Sequence, residues 1–159
     1  MDNYTFTQKV LDAEQTLYNI AKSILIIDTD CEDAVQNAIL NAYTKLSSLK
    51  NEEYFKTWLV RILINECSTI LRRQQRLAPY DAAAAEAIPA PVADDYSDLY
   101  AAITALEEKL RLPVELYYLE GFKTREIAGM LGIPENTVKT RLRAAREHLR
   151  KDLKGACFA

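Results

Sequence analysis

The sequence contains few of the residues that interrupt helices. It has four glycines and five prolines among 159 residues, and apolar residues make up 49% of the chain. A turn-rich sheet protein of this length would need more glycine, so this composition favours helices. We therefore expect an all-α protein, organised as one compact domain or as two small ones.

Long apolar runs and paired cysteines are also missing. No apolar segment approaches the roughly 18 residues of a membrane span, and the first residues lack the basic-then-apolar pattern of a signal peptide. Cys31, Cys67 and Cys157 lie far apart and form no Cys-x-x-Cys pair, which argues against a disulfide framework and against a zinc site. The sequence predicts a cytoplasmic protein with reduced thiols.

The chain shows none of the motifs that carry common enzyme chemistry. It has no glycine-rich phosphate loop, no metal-ligand cluster and no nucleophile placed beside a base. His148 is its single histidine and has no acidic or nucleophilic partner pattern, so we interpret it as a solvated helix residue. We expect no enzymatic activity and no metal or cofactor.

Net charge is small overall but changes sign along the chain. The total is −3, which is unusual for a nucleic-acid binder until it is divided by segment. Residues 1–60 carry a net −4, residues 61–76 a net +3, residues 77–110 a net −6 and residues 111–159 a net +4. Positive charge is therefore concentrated in two blocks that an acidic stretch separates.

Three stretches of the N-terminal half repeat apolar residues at helical spacing. The first runs from Phe6 to Ile24, the second from Ala34 to Leu46 and the third from Phe55 to Leu71. Residues 28–30 offer side-chain oxygens for the N-cap of the second helix. A shared apolar face predicts a three-helix domain over residues 1–76.

Residues 77–95 interrupt this pattern. They contain three prolines, a run of alanines and several acids, with no larger apolar period to pack. We expect a flexible linker here, followed by a separate domain over residues 96–159.

The second domain is predicted to contain four helices. Leu99 to Leu110 marks the first, and Pro113 suits the first turn of the next. A short helix then ends near Gly132, which is able to take the left-handed conformation, and a last helix runs from about Pro134 to Leu153. Helix, glycine-containing turn and helix form the helix-turn-helix arrangement.

The last helix has one apolar side and one polar side. Val138, Leu142, Ala145 and Leu149 share the side to be buried. The outward residues that are candidates for contacting bases or phosphates are Asn136, Thr137, Lys139, Thr140, Arg141, Arg143 and Arg146. An isolated charged face more often only keeps a helix soluble, but the preceding short helix and turn position this one for a DNA groove.

Several motifs in this domain follow one another in a characteristic order. They are Leu112-Pro113, residues 117–122, Glu126-Ile127-Ala128, Leu131-Gly132-Ile133, residues 136–142 and Ala145-Arg146. Together they resemble the fourth conserved region of bacterial RNA polymerase sigma factors, which implies that this module reads the minus-thirty-five promoter element. Lys123 departs from the family, where a serine usually caps the first helix of the motif, and we expect Thr124 to cap one residue later.

A second set of motifs lies in the first domain. They are Asp30, residues 33–36, Ala42-Tyr43, residues 55–59, Arg61-Ile62, Asn65 and Arg72-Arg73. This set resembles the second conserved region of the same family. The sequence carries both sets in this order and leaves no room for the extra regions of primary sigma factors. This arrangement resembles the extracytoplasmic-function (ECF) class of the family.

This resemblance implies partners and sites in the first domain. Asp33, Gln36 and Asn37 would dock on the coiled coil of the polymerase β′ subunit, although an ordinary solvated helix face is the alternative, and the family often has Glu where Asn37 stands. The second domain would meet the β flap of the polymerase. The family also commonly has an anti-sigma partner, which nothing in these residues identifies.

By the same resemblance, the loop 47–53 and the third helix would bind the minus-ten element. The candidates for contacting its strand or phosphates are Lys56, Trp58, Arg61, Asn65, Arg72 and Arg73. Extruding a base from the DNA costs a few kcal/mol, and stacking of that base and hydrogen bonds to its exposed edge recover this cost. Opening of the promoter DNA therefore needs no nucleotide hydrolysis. Core packing is an open alternative for Trp58, and a plain surface position is one for Asn65. Thr69 stands where many relatives carry Asp.

Two other function classes compete with this interpretation. A conventional helix-turn-helix regulator would carry a similar DNA-reading module together with an α/β receiver or a ligand-binding domain, but residues 1–76 lack strand periodicity. An enzyme acting on nucleic acid is disfavoured by the missing catalytic motifs.

Overall fold

The computed structural model describes residues 1–77 and 97–157. Over these residues the secondary structure is helical, and two compact units form, one N-terminal and one C-terminal. The predicted all-α class is confirmed. Residues 78–95, most of the predicted linker, lie outside the described residues. None of the described helices is both long and apolar enough to cross a membrane.

The N-terminal unit consists of three amphipathic helices, as predicted. They are α1 (Asn3–Ile24), α2 (Asp28–Thr44) and α3 (Phe55–Leu77), with short 3₁₀ turns at Leu46–Ser48 and Glu52–Tyr54 between the last two. Each helix packs against both of the others. The fully buried large side chains at the centre are Leu17, Ile20, Leu25, Leu59, Val60 and Leu63.

Small residues on α2 allow its neighbours to approach closely. Ala34, Ala38 and Ala42 are completely buried at four-residue spacing, so one stripe of α2 faces the core with little side-chain bulk. Polar bonds add specificity at the α2–α3 contact. Asn41 donates to the Glu66 carboxylate, and Gln74 Nε2 donates to Asp30 Oδ2 at 2.6 Å. These bonds hold α3 in register along α2.

The expected N-cap of α2 is wrong. Ile27 occupies the N-cap position and no side chain caps it. Asp28 is the first helical residue, and its carboxylate accepts hydrogen bonds from Lys22 and, at 3.0 Å, from the Tyr18 hydroxyl of α1. The Lys22 hydrogen bond is the main reason that the Asp28 pKa lies below its usual value. The carboxylate thus joins two helices, and its charge still favours the start of α2.

In the C-terminal unit, the single helix expected over Leu99–Leu110 is broken. α4 (Ser97–Ala105) ends before Leu106, and α5 (Glu108–Val114) begins two residues later. Arg111 explains how the break is tolerated, because its Nη1 donates to the carbonyls of Thr104 at 3.1 Å and Leu106 at 3.0 Å. The guanidinium satisfies one carbonyl in the last turn of α4 and one in the break that follows it.

Pro113 also lies elsewhere than expected. It is the sixth residue of α5 rather than part of its first turn. Proline has no N–H to donate and its ring crowds the preceding turn. A π-helical segment, Glu115–Leu119, follows directly, and its wide turn is closed by Glu120 N–H donating to the Glu115 carbonyl at 3.0 Å.

The predicted helix-turn-helix is present. It consists of α6 (Thr124–Leu131), a short turn and α7 (Glu135–Cys157). Gly132 ends α6 in the left-handed conformation with φ of 67°, and its N–H donates to the Ala128 carbonyl. Buried Ile127 on α6 and Val138 on α7 contribute to the core of the unit. The four-helix description of this unit is confirmed.

The expectation that Thr124 caps α6 is wrong. Lys123 is the N-cap residue, and its backbone N–H donates to Glu126 Oε2 at 2.8 Å, which is one half of a capping box. The lysine side chain carries no acceptor for the other half. Thr124 is the first residue of the helix, and its hydroxyl bonds to α7 instead.

Candidate nucleic-acid interface

α7 presents a broad polar face to solvent. Val138, Leu142 and Ala145 are buried on the opposite side. Two of the candidate DNA-contacting residues, Thr137 and Arg141, are half-buried. The other five are exposed, namely Asn136, Lys139, Thr140, Arg143 and Arg146. At about 100° per residue, Arg141 and Arg146 lie on opposite flanks of this face.

Hydrogen bonds within α7 fix some of these side chains. The Thr140 hydroxyl donates to the Asn136 carbonyl at 2.9 Å, so its oxygen is left to accept from a base or another donor. Lys139 Nζ lies 3.7 Å from Glu135 Oε1, an exposed pair one turn apart. The other positively charged candidates on α7 are Arg141, Arg143 and Arg146.

Glu135 ties the two helices of the motif together. Its Oε1 accepts a hydrogen bond from the Thr124 hydroxyl at 2.9 Å. The first residues of α6 and α7 are therefore joined, and the N-terminal turn of α7 has a set position relative to α6. This matters for DNA reading because the N-terminal turn is where a recognition helix meets base edges.

Arg146 is held by a residue that the sequence did not single out for this purpose. Its Nη1 donates to the Tyr118 hydroxyl at 2.9 Å, across 28 residues of sequence. Tyr117 packs edge-on against Tyr118, with ring centroids 4.8 Å apart. Helical periodicity carries no signal for such a contact, because it depends on the local geometry of the π segment.

Three of the candidates on α3 share one side of the helix. Arg61, Asn65 and Arg72 are all exposed and, at the spacing i, i+4 and i+11, fall within about 40° of each other. Arg73 is exposed as well but turned away from this stripe. Lys56 is exposed at the start of α3, about 140° around the helix from Arg61. The structure thus groups part of the predicted set and separates Lys56 from it.

Trp58 is neither fully core nor fully exposed. Its side chain is half-buried, and its ring centroid lies 6.0 Å from that of Phe55 at a tilt of 47°. One part of the indole packs in the N-terminal unit while another part meets solvent, on the side of α3 that carries Arg61 and Asn65.

The candidate docking residues lie on the outer face of α2. Asp33, Gln36 and Asn37 are all exposed. Gln36 also lines an open groove between α1 and α2, whose other lining residues are Leu11, Glu14, Gln15, Tyr18, Glu32 and Val35. Leu11 is 55% exposed in this groove. Leu11 interrupts the polar pattern on the outer side of α1. That interruption is the sequence signal that would have identified it as an exposed apolar residue of this groove.

Two buried groups have shifted acidities. Burial raises the pKa of the Cys31 thiol to about 11. Glu115, which is only 9% exposed, has its pKa raised to about 7, first by burial and then by the nearby Glu120 carboxyl. Across residues 1–77 and 97–157, no group of three or more histidine, cysteine or acidic side chains is arranged to hold a metal ion.

Family comparisons match both halves of the chain. The family described as Sigma-70 region 2 matches residues 10–77, and the one described as Sigma-70, region 4 matches residues 96–149. These ranges contain the candidate residues on α2 and α3 and those on α7. Both regions occur in the predicted order.

Individual proteins resemble the chain over most of its length. The ECF RNA polymerase sigma factor SigM of Mycobacterium tuberculosis is 32% identical, over 93% of this chain and 76% of its own. The RNA polymerase sigma factor SigV of Bacillus subtilis is 31% identical, over 91% of this chain and 88% of its own. The sigma factor RpoE of Bartonella quintana, solved in complex with the anti-sigma factor NepR, superposes with a TM-score of 0.80 at 26% identity, covering 94% of this chain and 97% of its own. The chain therefore belongs to the ECF class of RNA polymerase sigma factors.

Proposed function

We propose that the chain binds core RNA polymerase and directs it to promoters, with residues 96–159 reading the minus-thirty-five element and residues 1–76 binding the minus-ten element. The observation that carries this proposal is the exposed cationic face of α7 within a helix-turn-helix, on the same chain as a separate three-helix unit of the sigma type. The alternative of a regulator with an α/β receiver domain is not supported, because such a domain contains strands and residues 1–77 contain none.

At the minus-thirty-five element, the N-terminal turns of α7 enter the major groove. Asn136, Thr137 and Thr140 supply short polar groups for base edges, while Arg141 and Arg143 reach guanines or phosphates. Lys139 and Arg146 lie on the flank of the helix and contact the DNA backbone. The bond between Thr124 and Glu135 keeps the reading turn in place.

At the minus-ten element, the stripe of Arg61, Asn65 and Arg72 follows one strand of the opened DNA. Trp58 lies beside this stripe and is half-buried, and the exposed part of its ring stacks on a base in this proposal. Lys56 and Arg73 lie off the stripe and contact neighbouring phosphates. Binding of an extruded base offsets the few kcal/mol of unstacking.

The polymerase contacts are assigned to separate surfaces. Asp33, Gln36 and Asn37 on α2 dock on the β′ coiled coil, and the C-terminal unit meets the β flap. No step requires bond chemistry by this chain, so it acts as a non-enzymatic specificity subunit, working in the cytoplasm with the polymerase. An anti-sigma factor is a further proposed partner, since related sigma factors have been solved bound to NepR and to the cytosolic domain of CnrY.

Run-off transcription tests the proposal. The chain is mixed with core polymerase, the holoenzyme selects duplexes from a random pool, and the selected duplexes serve as templates. We expect transcripts of defined length that appear only when the chain is added. A folded chain that binds core polymerase but supports no initiation on any selected template would refute the sigma function.

A further inference from the structure

The contact between Tyr118 and Arg146 joins the π segment to the face of α7 assigned to DNA. Arg146 Nη1 donates to the Tyr118 hydroxyl at 2.9 Å. Both side chains are exposed, Tyr118 by 49%. A bond between two solvated side chains contributes little to the core of the unit. Its principal effect is on the direction in which the guanidinium points.

The π segment is the reason that Tyr118 is available for this contact. Leu110 and Val114 are buried four residues apart, and regular α-helical spacing would place Tyr118 on the same buried side. The wide turn closed between Glu115 and Glu120 shifts this register, and Tyr118 faces solvent instead. Insertions of this kind often occur at functional sites.

Holding Arg146 in one orientation favours a phosphate contact. A free arginine side chain loses rotamer freedom when it binds a phosphate, and this loss weakens the contact. The tyrosine hydroxyl occupies one of the five guanidinium donors, so the others remain for phosphate oxygens. Arg146 lies three turns beyond the start of α7, away from the turn that reads base edges, which also favours the backbone.

We infer that Tyr118 is a positioning residue for promoter binding: its hydroxyl holds the Arg146 guanidinium in the orientation that contacts a DNA phosphate. This inference rests on the proposed function of α7. It adds a residue of the π segment, outside the helix-turn-helix, to the determinants of promoter affinity.

A double-mutant cycle in the holoenzyme tests this inference. The dissociation constant for a duplex selected by the wild-type holoenzyme is measured against salt for the wild type, Tyr118→Phe, Arg146→Ala and the double variant. We expect Arg146→Ala to weaken binding about tenfold and to lower the salt slope by about 0.9, the value for one phosphate. Tyr118→Phe should weaken binding about threefold in the wild-type background and not at all in the Arg146→Ala background.

Control variants separate positioning from loss of structure and from failure of the proposed function. Tyr117→Phe removes a neighbouring hydroxyl and should bind DNA like the wild type. An equal loss from Tyr118→Phe in both backgrounds, or no loss in either, overturns the positioning role. If Arg141→Ala weakens binding while the Tyr118–Arg146 cycle shows no coupling, only this inference fails. If Arg141→Ala and Arg146→Ala both bind like the wild type, the proposed function of α7 fails.

Discussion

The Thr124 hydroxyl donates a hydrogen bond to Glu135 Oε1 at 2.9 Å, and thereby joins the first residue of α6 to the first residue of α7. The two residues are eleven positions apart, and the turn at Gly132 lies between them. The angle between the helices of the motif therefore depends on a polar bond at one end as well as on buried side chains such as Ile127 and Val138.

Thr124→Val is expected to reduce the stability of the C-terminal unit by about 1 kcal/mol, because it removes this part-buried hydrogen bond and leaves the Glu135 oxygen with one partner fewer. Urea unfolding measures the change. Thr104→Val is the matched control, since that hydroxyl donates within its own helix to the Tyr100 carbonyl, at 2.8 Å. Equal effects of the two substitutions would show that the α6–α7 bond contributes nothing specific.

The glycine within α6 and the glycine at its end should respond to alanine in opposite directions. At Gly132, φ is 67°, a conformation that alanine adopts only with strain, so Gly132→Ala should cost about 1 kcal/mol. Gly129 lies inside the helix, and an added methyl group there would meet only open space, so Gly129→Ala should stabilise by about 0.5–1 kcal/mol. Thermal unfolding of both variants checks the signs, and a stabilising Gly132→Ala would contradict the strain argument.

Glu115 should make the C-terminal unit less stable as pH rises. Its pKa in the folded chain is raised to about 7 from an ordinary value of 4.5, by burial and then by Glu120. The folded state therefore holds a proton that the unfolded state releases, and stability falls between about pH 4.5 and pH 7 and changes no further above that. The expected loss is on the order of 1–2 kcal/mol once partial solvation is allowed for.

Glu115→Gln should remove this pH dependence and stabilise the unit above pH 7. The measurement is the difference in urea midpoint between variant and wild type at pH 5 and at pH 8. Glu108→Gln, at an exposed position of α5, serves as the control. A difference that is the same at both pH values would argue against a buried proton at Glu115.

Arg141→Ala is expected to weaken promoter binding by the holoenzyme about tenfold, the loss typical of one good base or phosphate contact. Core-polymerase binding should not change, because Arg141 is assigned to the DNA-contacting face of α7 and to neither polymerase contact, and the residues proposed to dock on β′ lie on α2 in the other unit. Promoter affinity and a core-polymerase pull-down are measured on the same preparation. Loss of core binding would contradict the assignment of Arg141 to DNA contact alone.

Much of the fold follows from local patterns in the sequence. The apolar stripes of α1, α2 and α3 and the buried side of α7 have helical period, and a face of that kind is stable only when it is buried against another helix. Gly132 was identified as a helix end because few other residues adopt its conformation. The motif order also predicted the family, since motifs are a property of the linear sequence.

Helix ends and side-chain partners were less predictable, because they depend on groups distant in sequence. The apolar spacing from Leu99 to Leu110 continues across a break at which Arg111 donates to the Thr104 and Leu106 carbonyls. The side-chain oxygens of residues 28–30 predict an N-cap for α2, but Ile27 occupies that position and the Asp28 carboxylate bonds Lys22 and Tyr18 of α1. The candidate site residues themselves stay predictions, and the Arg141 and Arg146 variants test two of them.

The sequence by itself determined the helical class and the buried faces of α1, α2, α3 and α7, because helical period is a local property of the chain. Only the tertiary structure decided that Thr124 bonds Glu135, that Arg146 rests on Tyr118 and that Glu115 is buried beside Glu120. Those relationships depend on distances of a few ångströms between separate helices, which spacing along one chain does not specify.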